Sequence, residues 1–179
     1  MPQRVSVAEY LDGPESLARR ELIFGLVREP PAPRFGHQTV LTRLAALLDA
    51  HVRERALGRV CVAPVDVVLD REAALVVQPD LVFIAADRLA LAHDRIWGAP
   101  DLVVEVLSPG TARRDRTTKL AWYERYGVRE CWLVDPQEWS VSVVDLAPGR
   151  ARRRIYAGNR RMRSRVLPAW DLPAARMFA

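Results

Sequence analysis

Three polar residues stand against apolar surroundings in this chain. Asp80 lies in LVVQPDLVF, Glu105 lies in LVVEVLS, and Lys119 follows the Glu105 run. A carboxylate inside a run of valine and leucine is costly unless it is paired or binds a cation. Two such carboxylates on neighbouring strands would hold a hard divalent ion. Mg²⁺ suits them, because it accepts one or two carboxylates and keeps several waters. A nearby ammonium would orient or deprotonate a water, or offset charge developing on a phosphate. The same residues also admit a reading without metal. Glu105 and Lys119 would then be a buried ion pair, and Asp80 a turn residue after Pro79.

The elements that must position these groups follow from hydrophobic period and punctuation. Ser6-Val7-Ala8-Glu9 has the form of a capping box ahead of a short helix that Gly13-Pro14 stops. ELIFGLVRE at 21–29 reads as one strand. Val40, Leu41, Leu44, Leu47, Leu48, His51 and Val52 recur at the helical period, so 37–57 is the clearest helix, with His51 in the core and Gly58 as its C-terminal cap. Strands follow at 59–63, 65–70, 75–85 and 101–107. The last is apolar except for Glu105, as suits a central strand buried on both faces. Ser108-Pro109-Gly110-Thr111 breaks it and caps a helix over 112–126, which Gly127 ends. Asp115, Lys119 and Tyr123 are spaced to share one face of that helix, over the strand ends. Asp115 would pair with Lys119, and Tyr123 would pack with a polar tip. A strand at 130–134 and a hairpin of 139–146 with 152–157 complete the chain. This order predicts an α/β fold with a mixed central sheet flanked by helices, with an added N-terminal strand and a C-terminal hairpin. A single domain over 1–179 is expected.

Composition bounds the function. Of 179 residues, 50% are hydrophobic and 27% charged, which excludes a disordered tail or a fibre. No apolar run approaches the roughly 18 residues that span a bilayer, and no secretion signal is visible. Cys61 and Cys131 read as reduced core residues of a cytoplasmic protein. The 27 basic residues are 26 arginines and one lysine, Lys119. Arginine keeps its proton, whereas burial can lower the pKa of a lysine, which is a physical reason for the exception. Residues 150–165 hold eight arginines and no acid, and without them the net charge falls from +5 to −3. Arg152, Arg153, Arg154, Arg160 and Arg161 are therefore candidates for contact with a nucleic-acid backbone, or else a solvated edge hairpin. No Walker loop, dinucleotide fingerprint, hydrolase elbow or zinc spacing is present.

Pro79-Asp80, Glu105-Val106-Leu107 and Lys119 together resemble the PD-(D/E)XK phosphodiesterase motif. The lysine has migrated, since Leu107 fills its usual place two residues after the acid. That variant looks like the Uma-two family of restriction-endonuclease-like proteins. The supporting stretches are ELIFG at 21–25, His37-Gln38, VVQPDLVF at 76–83, GAPDLVVEVLSPGT at 98–111 and DRTTKLAWYERYGVRECWLVDP at 115–136. The resemblance implies a restriction-endonuclease-like core and a nuclease site using Mg²⁺ or Mn²⁺. It implies a nucleic-acid substrate, DNA ahead of RNA, and a homodimer. Asp80, Glu105 and the backbone carbonyl of Val106 would be metal ligands, and Lys119 would activate water. Glu21 and Gln78 match polar positions of the family, and His37 would touch a phosphate near its helix N-terminus. Loss of Lys119 would abolish cleavage without unfolding the protein. Two alternatives remain at this level: an inactive nucleic-acid-binding module of the same fold, and a structural or interaction protein.

Overall fold

A computed structural model describes residues 4–13, 18–108, 115–147 and 152–178. Its elements in chain order are α1 (Val7–Leu11), β1 (Glu21–Ile23), β2 (Leu26–Arg28), α2 (Phe35–Glu54), β3 (Gly58–Val62), β4 (Val67–Asp70), β5 (Leu75–Val77), β6 (Leu81–Ala85), β7 (Ile96–Trp97), β8 (Leu102–Val106), α3 (Leu120–Tyr126), β9 (Glu130–Asp135), β10 (Ser140–Asp145) and β11 (Arg152–Ala157). Short 3₁₀ turns occupy Ala86–Leu91 and Ala174–Met177, and a π-helical turn, Asp115–Lys119, leads into α3. Of the break and cap expected at 108–111, residues 109–111 lie outside the described residues.

The strands form two mixed sheets. One has the order β11-β10-β9-β8-β6-β3, with β8 and β9 parallel. The other has the order β2-β1-β5-β4-β7, with β4 and β7 parallel. The run at 75–85, expected as one strand, is split between them. Pro79 supplies no amide to a ladder, so the chain leaves the second sheet after β5 and enters the first at β6. The expected strand at 21–29 is likewise a hairpin. Phe24 (φ 49°) and Gly25 (φ 83°) take left-handed conformations, which close a two-residue turn between β1 and β2.

The larger sheet is covered on both faces. On one side α2 brings Val40, Leu41, Leu44, Leu48 and Val52 against Phe83, Val104 and Trp132. The C-terminal segment extends that layer, with Trp170 tilted on Trp132 at 5.4 Å between ring centroids. His51 sits at its margin, edge-on to Trp170 and bonded to the Pro168 carbonyl. On the other side α3 and the smaller sheet bury Val103, Cys131 and Leu133. Cys61, expected in the core, is exposed on β3, and neither cysteine is in a disulfide. The capping box on α1 forms as expected, with Ser6 and Glu9 exchanging hydrogen bonds. Gly58 does not cap α2, which ends four residues earlier. It opens β3, where a Cβ would stand 2.0 Å from the Ile84 carbonyl oxygen, so only glycine allows the strands to meet there.

Glu130 fastens the C-terminal segment to the sheet. Its carboxylate is fully buried at the start of β9 and accepts from Trp132 Nε1 (2.7 Å), Ser164 Oγ (2.6 Å) and the Arg165 amide (2.7 Å). Burial pushes its pKa above the ordinary 4.5 despite these donors, with Asp145 adding to the rise. The folded state therefore holds the proton more tightly than the unfolded chain. The stability this contributes is full below pH 4.5 and is lost as pH rises through the folded-state value. Wild type should lose stability relative to Glu130→Gln as pH rises above 4.5, read as urea midpoints. A pH-independent difference between the two proteins would contradict this.

Candidate active site

The register of β6 against β8 builds the centre. Leu81 pairs with Val104 and Val82 with Val103, so one step further Asp80 comes beside Glu105. The Val106 amide donates to Asp80 Oδ2 at 2.7 Å, closing the strand end over the carboxylate. His37, in the first turn of α2, reaches the same oxygen through Nε2 at 3.2 Å. Alternation along β8 puts Val104 and Val106 toward α2, and so turns Glu105 toward α3. Asp80 and Glu105 are each 2% exposed. The valine and leucine run that made them conspicuous thus buries both.

Lys119 enters from the π-helical turn ahead of α3. Its Nζ lies 2.9 Å from Glu21 Oε1 and 3.0 Å from Glu105 Oε1. The Tyr123 hydroxyl, one turn further, donates to the same Glu105 oxygen at 2.5 Å. Burial and the negative charge of Glu105 hold the Tyr123 pKa well above 10, so it remains a phenol and a donor. The helix therefore delivers both residues to Glu105 as its spacing predicts, although its opening turn is wider than α. Asp115 begins that turn, and its side chain lies outside the described residues. Glu21 comes from the other sheet. The Gln78 amide donates to Glu21 Oε1 at 3.3 Å, and Lys119 bridges Glu21 to Glu105.

The Gln78 side chain bonds backbone and Asp66. It accepts from the Arg20 amide (3.0 Å) and donates to Asp66 Oδ1 (2.9 Å). Tyr10 also bonds that Asp66 oxygen, at 3.3 Å. Asp66, to which the sequence reading assigned no chemistry, thus braces the Gln78-Pro79-Asp80 junction from behind.

Arg19 is the residue that sequence reasoning missed. Its Nη1 lies 2.6 Å from Asp80 Oδ1, and its Nη2 lies 3.8 Å from Glu105 Oε2. Nε donates to the Gln78 carbonyl at 3.1 Å, and Nη2 donates to the same oxygen. Burial opposes the charge on Arg19, but Asp80, Glu105 and Glu21 outweigh it and hold the guanidinium protonated. The Asp80 carboxyl is pushed up by burial. His37, Arg19 and the Val106 amide reverse that and keep it below the usual carboxylate range. One arginine among 26 carries no signal in composition; its only clue was its place two residues before Glu21.

The arginine-rich segment is separate from this centre. β11 is the edge strand, with β10 and β9 between it and β8. Arg152 and Arg154 are exposed, and Arg153 bonds the Ser142 hydroxyl at 2.9 Å. Arg160 lies over the Tyr156 ring, and Arg161 pairs with Asp171 at 2.9 Å.

The donor set fits a hard divalent ion in kind. Asp80 and Glu105 offer oxygen ligands only, and a cation already lies across both as the Arg19 guanidinium. Two carboxylates and a backbone carbonyl such as that of Val106 match what Mg²⁺ takes from a protein. No cluster of three or more His, Cys, Asp and Glu side chains suited to a metal occurs among the described residues.

A two-sheet α/β core, with acids on adjacent strands and a lysine on the following helix, defines a protein of restriction-endonuclease-like fold. The chain belongs to the Uma2 family, described as "Putative restriction endonuclease", whose family profile matches residues 7–175. Among solved structures it is similar to a protein from Anabaena variabilis titled a "putative nuclease belonging to DUF820". The two superpose with a TM-score of 0.81 over 97% of each chain, at 19% identity. No curated protein matches the chain.

The ion pairs revise one expectation from the sequence. Lys119 is 4% exposed between two carboxylates, so its removal leaves buried charge uncompensated. Lys119→Ala should lower the unfolding free energy by about 3–5 kcal/mol, measured by urea denaturation at neutral pH. A loss below about 1 kcal/mol, the range of a surface pair, would contradict the buried arrangement.

Proposed function

We propose that this protein is a divalent-metal-dependent endonuclease that hydrolyses phosphodiester bonds, with DNA as substrate. The observation that carries this reading is the meeting of Asp80, Glu105 and Lys119 at one strand end, with a cation already across the two carboxylates. Asp80, Glu105 and the Val106 carbonyl would hold Mg²⁺ or Mn²⁺. Such an ion supplies Lewis-acid chemistry, neutralising charge on the scissile phosphate and making water acidic enough to attack at neutral pH.

The other roles belong to the chain. His37 and the Val106 amide fix Asp80 Oδ2, leaving Oδ1 as the oxygen turned to the cation. Tyr123 and Lys119 hold Glu105 Oε1, leaving Oε2 on the side of Arg19. Lys119 orients the attacking water and offsets charge on the phosphate in the transition state. Glu21 holds the ammonium in place through its second ion pair. A homodimer would carry two such centres, one for each strand of a duplex.

A second reading is a non-catalytic nucleic-acid-binding module. The exposed Arg152 and Arg154 on an edge strand favour it. Binding would then fall steeply with salt and need no metal.

The test is a cleavage assay on single- and double-stranded DNA and on RNA, with Mg²⁺, Mn²⁺ or chelator. Asp80→Asn and Lys119→Arg serve as variants, the latter because it keeps the buried charge. Metal-dependent cleavage should fall by about a hundredfold or more in each variant, with folding verified by circular dichroism. Salt-sensitive DNA binding with no cleavage under any metal would favour the second reading. Cleavage unaffected by Asp80→Asn would remove the site from the mechanism.

A further inference from the structure

Arg19 has no task in the chemistry just proposed, yet it occupies the centre of the site. Its guanidinium spans Asp80 Oδ1 and Glu105 Oε2, the oxygens turned toward the proposed ion. We propose that Arg19 holds the place of the divalent ion until a phosphodiester arrives and then binds that phosphate, so that metal and substrate enter the site cooperatively. This inference rests on the metal-dependent reading above.

Three observations carry it. First, the two cations of the site differ in freedom. Lys119 is bonded to carboxylates from two strands and its side chain is 5% exposed, whereas that of Arg19 is 22% exposed. Lys119 is built to stay and Arg19 is able to leave. Second, Arg19 has somewhere to go. It lines a cavity of about 250 Å³ together with Pro30, Pro33, His37, Pro64 and Asp80. The cavity walls are mostly apolar, and its polar groups gather where Arg19, His37 and Asp80 meet. His37 bonds Asp80 through Nε2, and its buried Nδ1 has no hydrogen-bond partner among the described residues. A nucleotide in the cavity would find the guanidinium at its polar end. Third, the chemistry of exchange is balanced. A guanidinium and a divalent ion cannot share the same carboxylate oxygens without repulsion. A phosphate offers the guanidinium a bidentate partner of matching geometry in exchange for its bonds to Asp80 and the Gln78 carbonyl. The ion gains oxygens only when Arg19 leaves, and Arg19 leaves most readily when a phosphate is present. Linkage then requires each ligand to tighten the other by the same factor.

The test is calorimetric titration of Mn²⁺ into the full chain, with and without thymidine 3′,5′-bisphosphate, corrected for Mn²⁺ held by the bisphosphate in solution. Wild type should bind Mn²⁺ weakly alone and about tenfold more tightly with the bisphosphate. Arg19→Ala should bind Mn²⁺ about tenfold more tightly than wild type without the bisphosphate, and gain little from adding it. Arg19→Gln, which keeps a donor for the Gln78 carbonyl but drops the charge, repeats the comparison should Arg19→Ala fail to fold. Mn²⁺ affinity that is unchanged or weaker in the folded variant overturns the inference and leaves the metal site standing. Tightening by the bisphosphate that survives without Arg19 overturns its phosphate role. Mn²⁺ binding absent from wild type and variants alike, or undiminished by Asp80→Asn, sinks the metal reading and this inference with it.

Discussion

Three carboxylates buried where two sheets meet set the terms for everything around them. Glu21, Asp80 and Glu105 are each at most 2% exposed and lie amid valine and leucine. Ionised carboxylates in such a place must be matched by cations and donors or they cannot be there at all. The rest of the centre answers that demand. Lys119 joins Glu21 to Glu105, Arg19 joins Asp80 to Glu105, and His37, Tyr123 and the Val106 amide take remaining oxygens. The donors come from four separate parts of the chain, so the fold must be complete before the cluster is neutral.

This arrangement is a weak source of net stability. Apolar residues of similar volume would often serve the core as well or better than a buried ion pair. A cluster of five charged side chains at a strand end is therefore more easily understood as a site than as a staple. Its geometry agrees: Asp80, whose Oδ1 meets the cation, lines a cavity, while Asp80 Oδ2 and Glu105 Oε1 are pinned by donors from the protein.

Much of this was legible in the residues. Asp80 and Glu105 betrayed themselves by charge within apolar runs, and Lys119 by being the one lysine. The helical period of α2, the capping box on α1 and the hairpin of β10 and β11 were all readable. What escaped had physical causes. The run from Leu75 to Ala85 has continuous strand character, and nothing local reveals that Pro79 passes it from one sheet to another. ELIFGLVRE hides a turn because Phe24 takes a left-handed conformation that its residue type disfavours. Gly58 resembled a helix cap because glycine answers equally to a positive φ and to a close strand contact. Arg19 was invisible because an arginine becomes informative only through what the fold puts beside it, and this chain offers arginine almost everywhere.

The bridge that Lys119 makes between the two sheets reaches beyond catalysis. Glu21 belongs to one layer and Glu105 to the other, so the layers cannot part without separating charges in a medium of low permittivity. The residues best placed for chemistry are thereby also rivets of the architecture. A chain without any cleavage activity would still be penalised for discarding them. Retention of this acid-and-lysine signature therefore reports on mechanical integrity as much as on chemistry.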